Sequence, residues 1–345
     1  VILWRYVARR LILLVPVLLG LTLITFTITH VFTDPVSSYV SGRTTPQLLE
    51  QIRKAYGLNQ PLPIQYYYYM VHLLAGDWGV SRSQAGQPVL TVIANLFPAT
   101  AELAIVSILI QIAVGIPLGT ISAVRKDKWV DHITRFFALS GVSMPVFWLG
   151  FLMQLLFSYQ FRLWGLPSLP TTGRVDQLVL QAHPLQTITG SYSFDSLVTL
   201  NFPVFLSALS SIILPALTLA FTGIGLVTRI TRSSMLEVLR QDYIVLARAK
   251  GLPQRVVIYK HALKNAIIPT LTIVGISVGY TLAGAPLVET VFSWPGIGRW
   301  AALAILSDDV AGIMGFTILV GLVFVMVNLI VDVAYAYLNP RVRLG

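Results

Sequence analysis

Val310-Ala-Gly-Ile-Met-Gly-Phe-Thr-Ile-Leu-Val-Gly-Leu-Val-Phe-Val-Met-Val-Asn-Leu-Ile-Val331 contains no charged side chain. At a rise of 1.5 Å per residue it is longer than the roughly 20 apolar residues that cross a hydrocarbon core of about 30 Å. Five further uncharged apolar runs precede it: Leu11–Thr33, Leu103–Val124, Phe136–Phe161, Ser196–Thr228 and Asn265–Val288. The runs after Ser81 and after Asp176 are also uncharged but filled with Gln, Ser, Thr, Gly and His, and are not counted as spans. These runs predict an all-α polytopic membrane protein with six transmembrane helices. Composition agrees, since 55% of the 345 residues are hydrophobic, only 11% are charged, and the mean hydropathy is +0.76. Soluble domains carry about 25% charged residues, and disorder needs low hydrophobicity, so a soluble enzyme and a disordered chain are both excluded.

The net charge of +10 reads as topology. With a cytoplasmic N-terminus, seventeen of the 24 Lys and Arg fall on the cytoplasmic side, at 1–10, 125–135, 229–264 and 341–343. The other seven, Arg43, Arg53, Lys54, Arg82, Arg162, Arg174 and Arg299, fall outside. The positive-inside rule then places both termini in the cytoplasm, and nucleic acid is not expected as a partner. The first run exceeds the 7 to 15 apolar residues of a secretory signal and lacks a small-residue cleavage site, so it reads as a retained helix. Ala55–Gly76 is uncharged but broken by Pro61 and Pro63; Ile64–Ala75, with four consecutive tyrosines, reads as an interfacial helix. Pro16, Pro117, Pro145, Pro215, Pro269 and Pro286 mark kinks.

Chemistry within the chain is not indicated. Cysteine is absent, and His30, His72, His132, His183 and His261 lack metal-ligand spacing. There is no HExxH, no paired-carboxylate motif and no GxxxxGK[ST] phosphate loop, so no catalytic, cofactor-binding or metal residue is assigned and any ATP must be bound by another chain. The only carboxylates near spans, Glu102 and Asp332, read as solvated helix ends. An ion-coupled secondary transporter would need an ionisable residue in mid-membrane.

The loop Arg229–Lys264 carries eight basic and two acidic residues. Leu236, Leu239, Tyr243 and Leu246 recur at helical spacing, predicting an apolar stripe on one face. Gly251 can cap that helix and Pro253 can open the next, which Val256–Ile258, Ala262 and Leu263 continue into the fifth span. The loop thus reads as two short helices joined by a Gly-Leu-Pro turn, either lying on anionic lipid or docking a cytoplasmic partner.

Asp242-Tyr-Ile-Val-Leu-Ala-Arg-Ala-Lys-Gly251-Leu252, followed by His261-Ala-Leu-Lys-Asn-Ala-Ile-Ile-Pro269, resembles the EAA loop of ATP-binding-cassette importer permeases, in the form found in the dipeptide/oligopeptide family. Nine further stretches resemble the B-type permease subunit in order, among them Tyr56-Gly-Leu-Asn-Gln-Pro61, Gly115-Ile-Pro-Leu-Gly119 and Val288-Glu-Thr-Val-Phe-Ser-Trp-Pro-Gly-Ile-Gly298. The resemblance implies a type I importer fold and a coupling contact to an ATPase subunit through Asp242, Tyr243, Val245, Leu246, Ala247, Lys250, Gly251 and Leu252. The glutamate of the EAA pattern falls on Val245, and Asp242, one turn away, is the candidate to replace it. Trp294, Pro295, Gly296 and Gly298 read most simply as a chain-reversing turn; the resemblance implies a place at the external mouth.

The layout expected is a cytoplasmic N-terminus at 1–10, a first span at 11–33, and an external loop with the interfacial helix at 34–98. A permease core follows at 99–338, with spans near 99–124, 136–161, 204–228, 266–288 and 310–337, and then a tail at 339–345. The external segment 162–203 is longer than the family minimum. The resemblance further implies a second permease subunit, two ATP-binding subunits that hold ATP and Mg, a solute-binding protein, and a place in a prokaryotic cytoplasmic membrane. Peptides are the substrate class expected. Oligosaccharides or metal chelates, a secondary transporter, and a scaffold recruiting a soluble partner are the alternatives.

Overall fold

The computed structural model describes residues 12, 15–27, 36 and 45–338, with residues 280 and 331–338 described by their backbone alone. The expectations for the termini at 1–10 and 339–345, for most of the loop at 34–44 and for the side chain of Asp332 lie outside the described residues.

Helices dominate. A short apolar helix α1 (Val15–Thr27) is followed by α2 (Pro46–Ala55) and α3 (Leu62–Leu74). A two-stranded antiparallel hairpin, β1 (Val80–Ser81) with β2 (Gln87–Pro88), pairs Val80 with Pro88 and Ser81 with Gln87. Then come α4 (Val89–Val124), α5 (Trp129–Ser143) and α6 (Val146–Leu163). The segment 162–203 holds α7 (Gln177–Ala182) and α8 (Tyr192–Val198). The chain continues through α9 (Phe202–Val238), α10 (Asp242–Ala249), α11 (Leu263–Val291), α12 (Ile297–Leu306) and α13 (Val310–Leu338).

Among the described residues, four helices are long and apolar enough to cross a membrane, and five if α5 and α6 count as one span. The expected third span, 136–161, is not one straight helix. Met144 takes an extended conformation (φ −84°, ψ 132°), because the ring of Pro145 disfavours the helical region for the residue before it, and α5 and α6 meet at 111°. The second span starts earlier than expected, since α4 reaches back to Val89 and carries both Pro98 and Pro117 within it.

α9 is the centre of the bundle, packed against α4, α5, α6 and α11. Its contact with α4 is close: a side-chain carbon on Gly119 would lie 2.6 Å from the Thr228 carbonyl oxygen, so only glycine permits this approach. One set of buried polar groups is paired between helices. Gln111 of α4 donates to Thr281 Oγ1 (3.2 Å) and accepts from Ser277 Oγ (2.9 Å), both on α11.

A helix, α3, lies where an interfacial helix is expected, and its tyrosines divide by face. Tyr66 and Tyr69 pack against Phe26 of α1, with ring centroids 5.2 and 5.6 Å away, whereas Tyr67 and Tyr68 face outward. Glu102, expected as a solvated helix end, is instead buried inside α4. Arg174 Nη2 donates to it at 2.5 Å and Ser193 N at 2.7 Å, while the Arg174 guanidinium lies 4.0 Å from the Tyr192 ring. This pair fastens the segment 162–203 to the bundle.

Within that segment, Asp195 is fully buried and accepts from the backbone N–H groups of Ile188, Thr189 and Gly190. Burial opposes its charge, but these bonds and that from Thr189 Oγ1 prevail and hold its carboxyl below the usual range. A depressed carboxylate stabilises at every pH above its unfolded value and loses that contribution only as pH falls through the lower folded value. Resistance of 188–198 to external protease is therefore expected to persist at pH 5, and Asp195→Asn is expected to reduce it there and at pH 7 alike. Equal cleavage rates for the two proteins would contradict this role.

Candidate coupling surface

α9 ends at Leu239, where Arg240 N and Gln241 N turn back to the Glu237 and Val238 carbonyls. α10 then starts, with Ile244 N and Val245 N donating to Gln241 O and Asp242 in its first turn, where a negative charge suits the helix dipole. At the far end Gly251 has φ +74° and its N–H reaches Arg248 O, a left-handed cap that glycine adopts without steric cost. Pro253 accepts from Val256 N and Val257 N and opens the next helix, which runs through a π-turn (Val256–Ala262) into α11. The punctuation read from Gly251 and Pro253 is thus the punctuation observed.

The expected continuous stripe is not. The turn at Leu239–Gln241 leaves Leu236 and Leu239 at the end of α9 while Tyr243 and Leu246 belong to α10, so the four do not share one helix face. Ile244 and Ala247, one turn apart on α10, face inward instead. They join Met235, Val257, Ile258 and Ala262 in a buried cluster that supports the short helix. Ala247, expected among the contact residues, is therefore a packing residue, and Ile244 is the anchor that the sequence reading missed.

On the other side, Tyr243, Val245, Leu246 and Leu252 are exposed; Val245 and Leu246 are the most open, at 56% and 55%. Asp242, Lys250 and Gly251 are exposed beside them, and Asp242 has no ion pair among the described residues. Tyr243 is held in place by Asn265 Nδ2, which donates to its hydroxyl at 2.8 Å. The result is a small outward apolar face on a rigidly seated helix, ringed by Asp242, Arg248 and Lys250.

A second feature braces α9, the helix that leads into α10. Asp131 of α5 is completely buried and accepts from Arg232 of α9 through Nε (2.7 Å) and Nη2 (2.8 Å), a bidentate pair. Ser122 Oγ and Asp127 N, at the end of α4 and just beyond it, donate to the same carboxylate. Three elements, α4, α5 and α9, meet at this carboxylate, and α9 is the helix that leads into α10. Their separation in sequence left no local signal to find them by.

Residues 294–298, for which the resemblance implies a place at the external mouth, form a packed turn. Trp294, Gly296 and Gly298 are buried and only Pro295 is exposed. Trp294 Nε1 donates to Ala99 O (2.9 Å), and the glycines make room for Glu289, a buried carboxylate that accepts from Thr100 Oγ1 (2.6 Å) and Arg299 N (2.8 Å). The motif closes the start of α12 over the end of α11, which is the chain-reversing role.

Residues 115–344 match the family described as binding-protein-dependent transport system inner membrane component, and residues 3–104 match its N-terminal counterpart. A curated relative named "Probable D,D-dipeptide transport system permease protein", from Escherichia coli, is 42% identical over 343 residues, covering 99% of this chain and 98% of the relative. The dipeptide transport system permease protein of Alkalihalophilus pseudofirmus is 41% identical, covering 98% and 99%. The glutathione transport system permease protein of Salmonella choleraesuis is 34% identical, covering 98% and 99%.

Proposed function

Because the chain belongs to the family of binding-protein-dependent transport system inner membrane components, we propose that it is the membrane-spanning subunit of an ATP-driven dipeptide importer. The observation that carries this reading is the end-to-end similarity to dipeptide permeases, which extends through the external segment 162–203 as well as the core. In this reading six helices span the cytoplasmic membrane of a prokaryote, both termini are cytoplasmic, and a second permease subunit completes the pathway. ATP and Mg are held by two ATPase subunits below, and a solute-binding protein delivers substrate from above.

α10 is the element that receives the ATPase. Its apolar outward face fits a cleft in a partner, and its seating on Ile244 and Ala247 lets a push on that face move α9 and α11 together. Closure of the ATPases around ATP then favours one of two packings of the bundle, and hydrolysis restores the other. Asp242 supplies the negative charge that Val245 does not. Asp242→Lys is accordingly expected to weaken stimulated ATPase activity about tenfold, the loss of one charge-assisted contact; unchanged coupling would remove Asp242 from the interface.

The reading is tested by uptake of a labelled dipeptide into membrane vesicles carrying the complete transporter. ATP inside the cytoplasmic compartment is expected to drive uptake, and dissipating the ion gradients is expected to leave it intact. Uptake that follows the gradient instead would favour a secondary transporter.

A further inference from the structure

A cavity of about 500 Å³ opens between the end of α4 and the helix that leads into α11, close to the coupling segment. Arg125, Lys128 and Arg255 line it together with Ile121, Val124 and Tyr259, and no carboxylate does. Among the described residues none of these three basic side chains is in an ion pair. Two helix starts border the space, since Lys128 is the N-cap residue of α5 and Arg255 stands in the first turn after Pro253. Their positive dipole ends add to the three cations.

The surface around the cavity says which anion it suits. Trp129, Ile133 and Phe136 project outward from α5 at helical spacing, with Trp129 72% exposed, and Tyr259 is exposed on the cavity wall. An apolar outer face on a membrane protein meets acyl chains, and Trp and Tyr settle at headgroup depth. The cavity therefore combines unpaired cations with aromatic markers of the headgroup level and an adjoining apolar wall.

We propose that this cavity binds the phosphate headgroup of an anionic phospholipid, whose acyl chains lie along the outer face of α5. The inference needs only that the chain lies in a bilayer and is independent of the substrate and of the ATPase contact. Phosphate in the cavity would bridge α4, α5 and the helix entering α11, the elements next to the coupling helix.

The test uses the assembled transporter, delipidated in detergent and incubated with phosphatidylglycerol or phosphatidylcholine, with bound lipid counted by native mass spectrometry. Phosphatidylglycerol is expected to be retained and phosphatidylcholine not. R125Q/K128Q/R255Q is expected to lower phosphatidylglycerol affinity about a hundredfold and R255Q alone about fivefold; the single variant serves if the triple variant does not assemble. K126Q, whose side chain pairs with Asp127 outside the cavity, is expected to change nothing. Equal retention by wild type and variants would overturn the proposal. So would displacement of phosphatidylglycerol by millimolar inorganic phosphate, which would make the cavity a site for soluble anions. Loss of the ATPase subunits from R255Q with lipid retained would reassign the cavity to subunit docking.

Discussion

Gly251→Asp is expected to reduce ATP-driven uptake to background while leaving the amount of chain in the membrane unchanged. The two halves of that expectation have separate causes. A side chain at Gly251 would meet no atom within 4 Å, so the substitution creates no internal clash. Its backbone, at φ +74°, is left-handed, where aspartate costs about 1 kcal/mol relative to glycine. That is a small fraction of the stability of a bundle this size. On the outer side the new carboxylate stands at the edge of the face formed by Val245, Leu246 and Leu252. Burying it there without a partner costs several kcal/mol, and even about 3 kcal/mol weakens docking roughly a hundredfold. Gly251→Asn provides the control, because asparagine tolerates the left-handed conformation without adding charge; it is expected to keep most of the uptake. Equal losses in the two variants would place the effect in the helix cap, and undiminished uptake in Gly251→Asp would remove this face from coupling.

Arg232→Ala is expected to destabilise the bundle by about 3 kcal/mol, seen as a fall of roughly 5–10 °C in the unfolding temperature of the purified complex. The cause is the carboxylate left behind. Asp131 has no exposed surface and loses both arms of its bidentate partner, and stranding a buried charge costs more than the pair contributed. The Arg232 side chain is about one-fifth exposed, so water relieves part of the penalty and the lower end of the usual range applies. Asp131→Asn in the Arg232→Ala background removes the stranded charge and is expected to restore part of the loss. Arg135, 3.7 Å from Asp131, compensates only weakly. An unfolding temperature within about 1 °C of wild type for Arg232→Ala would contradict this account.

Much of α10 and its flanking turns was legible in sequence because the signals are local. Gly251 and Pro253 announce a left-handed cap and a helix start, and both are found. The break at Leu239–Gln241 was not legible, since Leu-Arg-Gln-Asp contains no proline or glycine and the apolar spacing runs straight across it. The same stripe put Tyr243 and Leu246 with Leu236, and hid the anchor pair Ile244 and Ala247 that seats α10. At the third span the proline was visible but its effect was read as a kink, when the restriction it places on Met144 produces a sharp corner.

Buried charges were the least legible part. Glu102 meets Arg174, Asp131 meets Arg232, and Glu289 meets Thr100, each across a separation that no local pattern records. Hydropathy places such residues at span edges, where solvation is the simplest account. The fold instead buries them among two or more donors each and uses them to fasten loops and helix ends to the bundle. The tight glycines of Trp294-Pro-Gly-Ile-Gly298 follow from the same fact, because they make room for the Glu289 carboxylate.

The central claim, that the outward face of α10 is where an ATPase subunit docks, is open to one direct measurement. The chain has no cysteine, so Leu246→Cys introduces a single thiol on that face, and its crosslinking to a cysteine in the cleft of the co-assembled ATPase can be followed with a short bifunctional maleimide. A crosslinked pair of permease and ATPase at Leu246→Cys, and none at the buried Ile244→Cys, is the result expected. Free reaction of the Leu246→Cys thiol in the fully assembled transporter, with no crosslink to the ATPase, would contradict the claim.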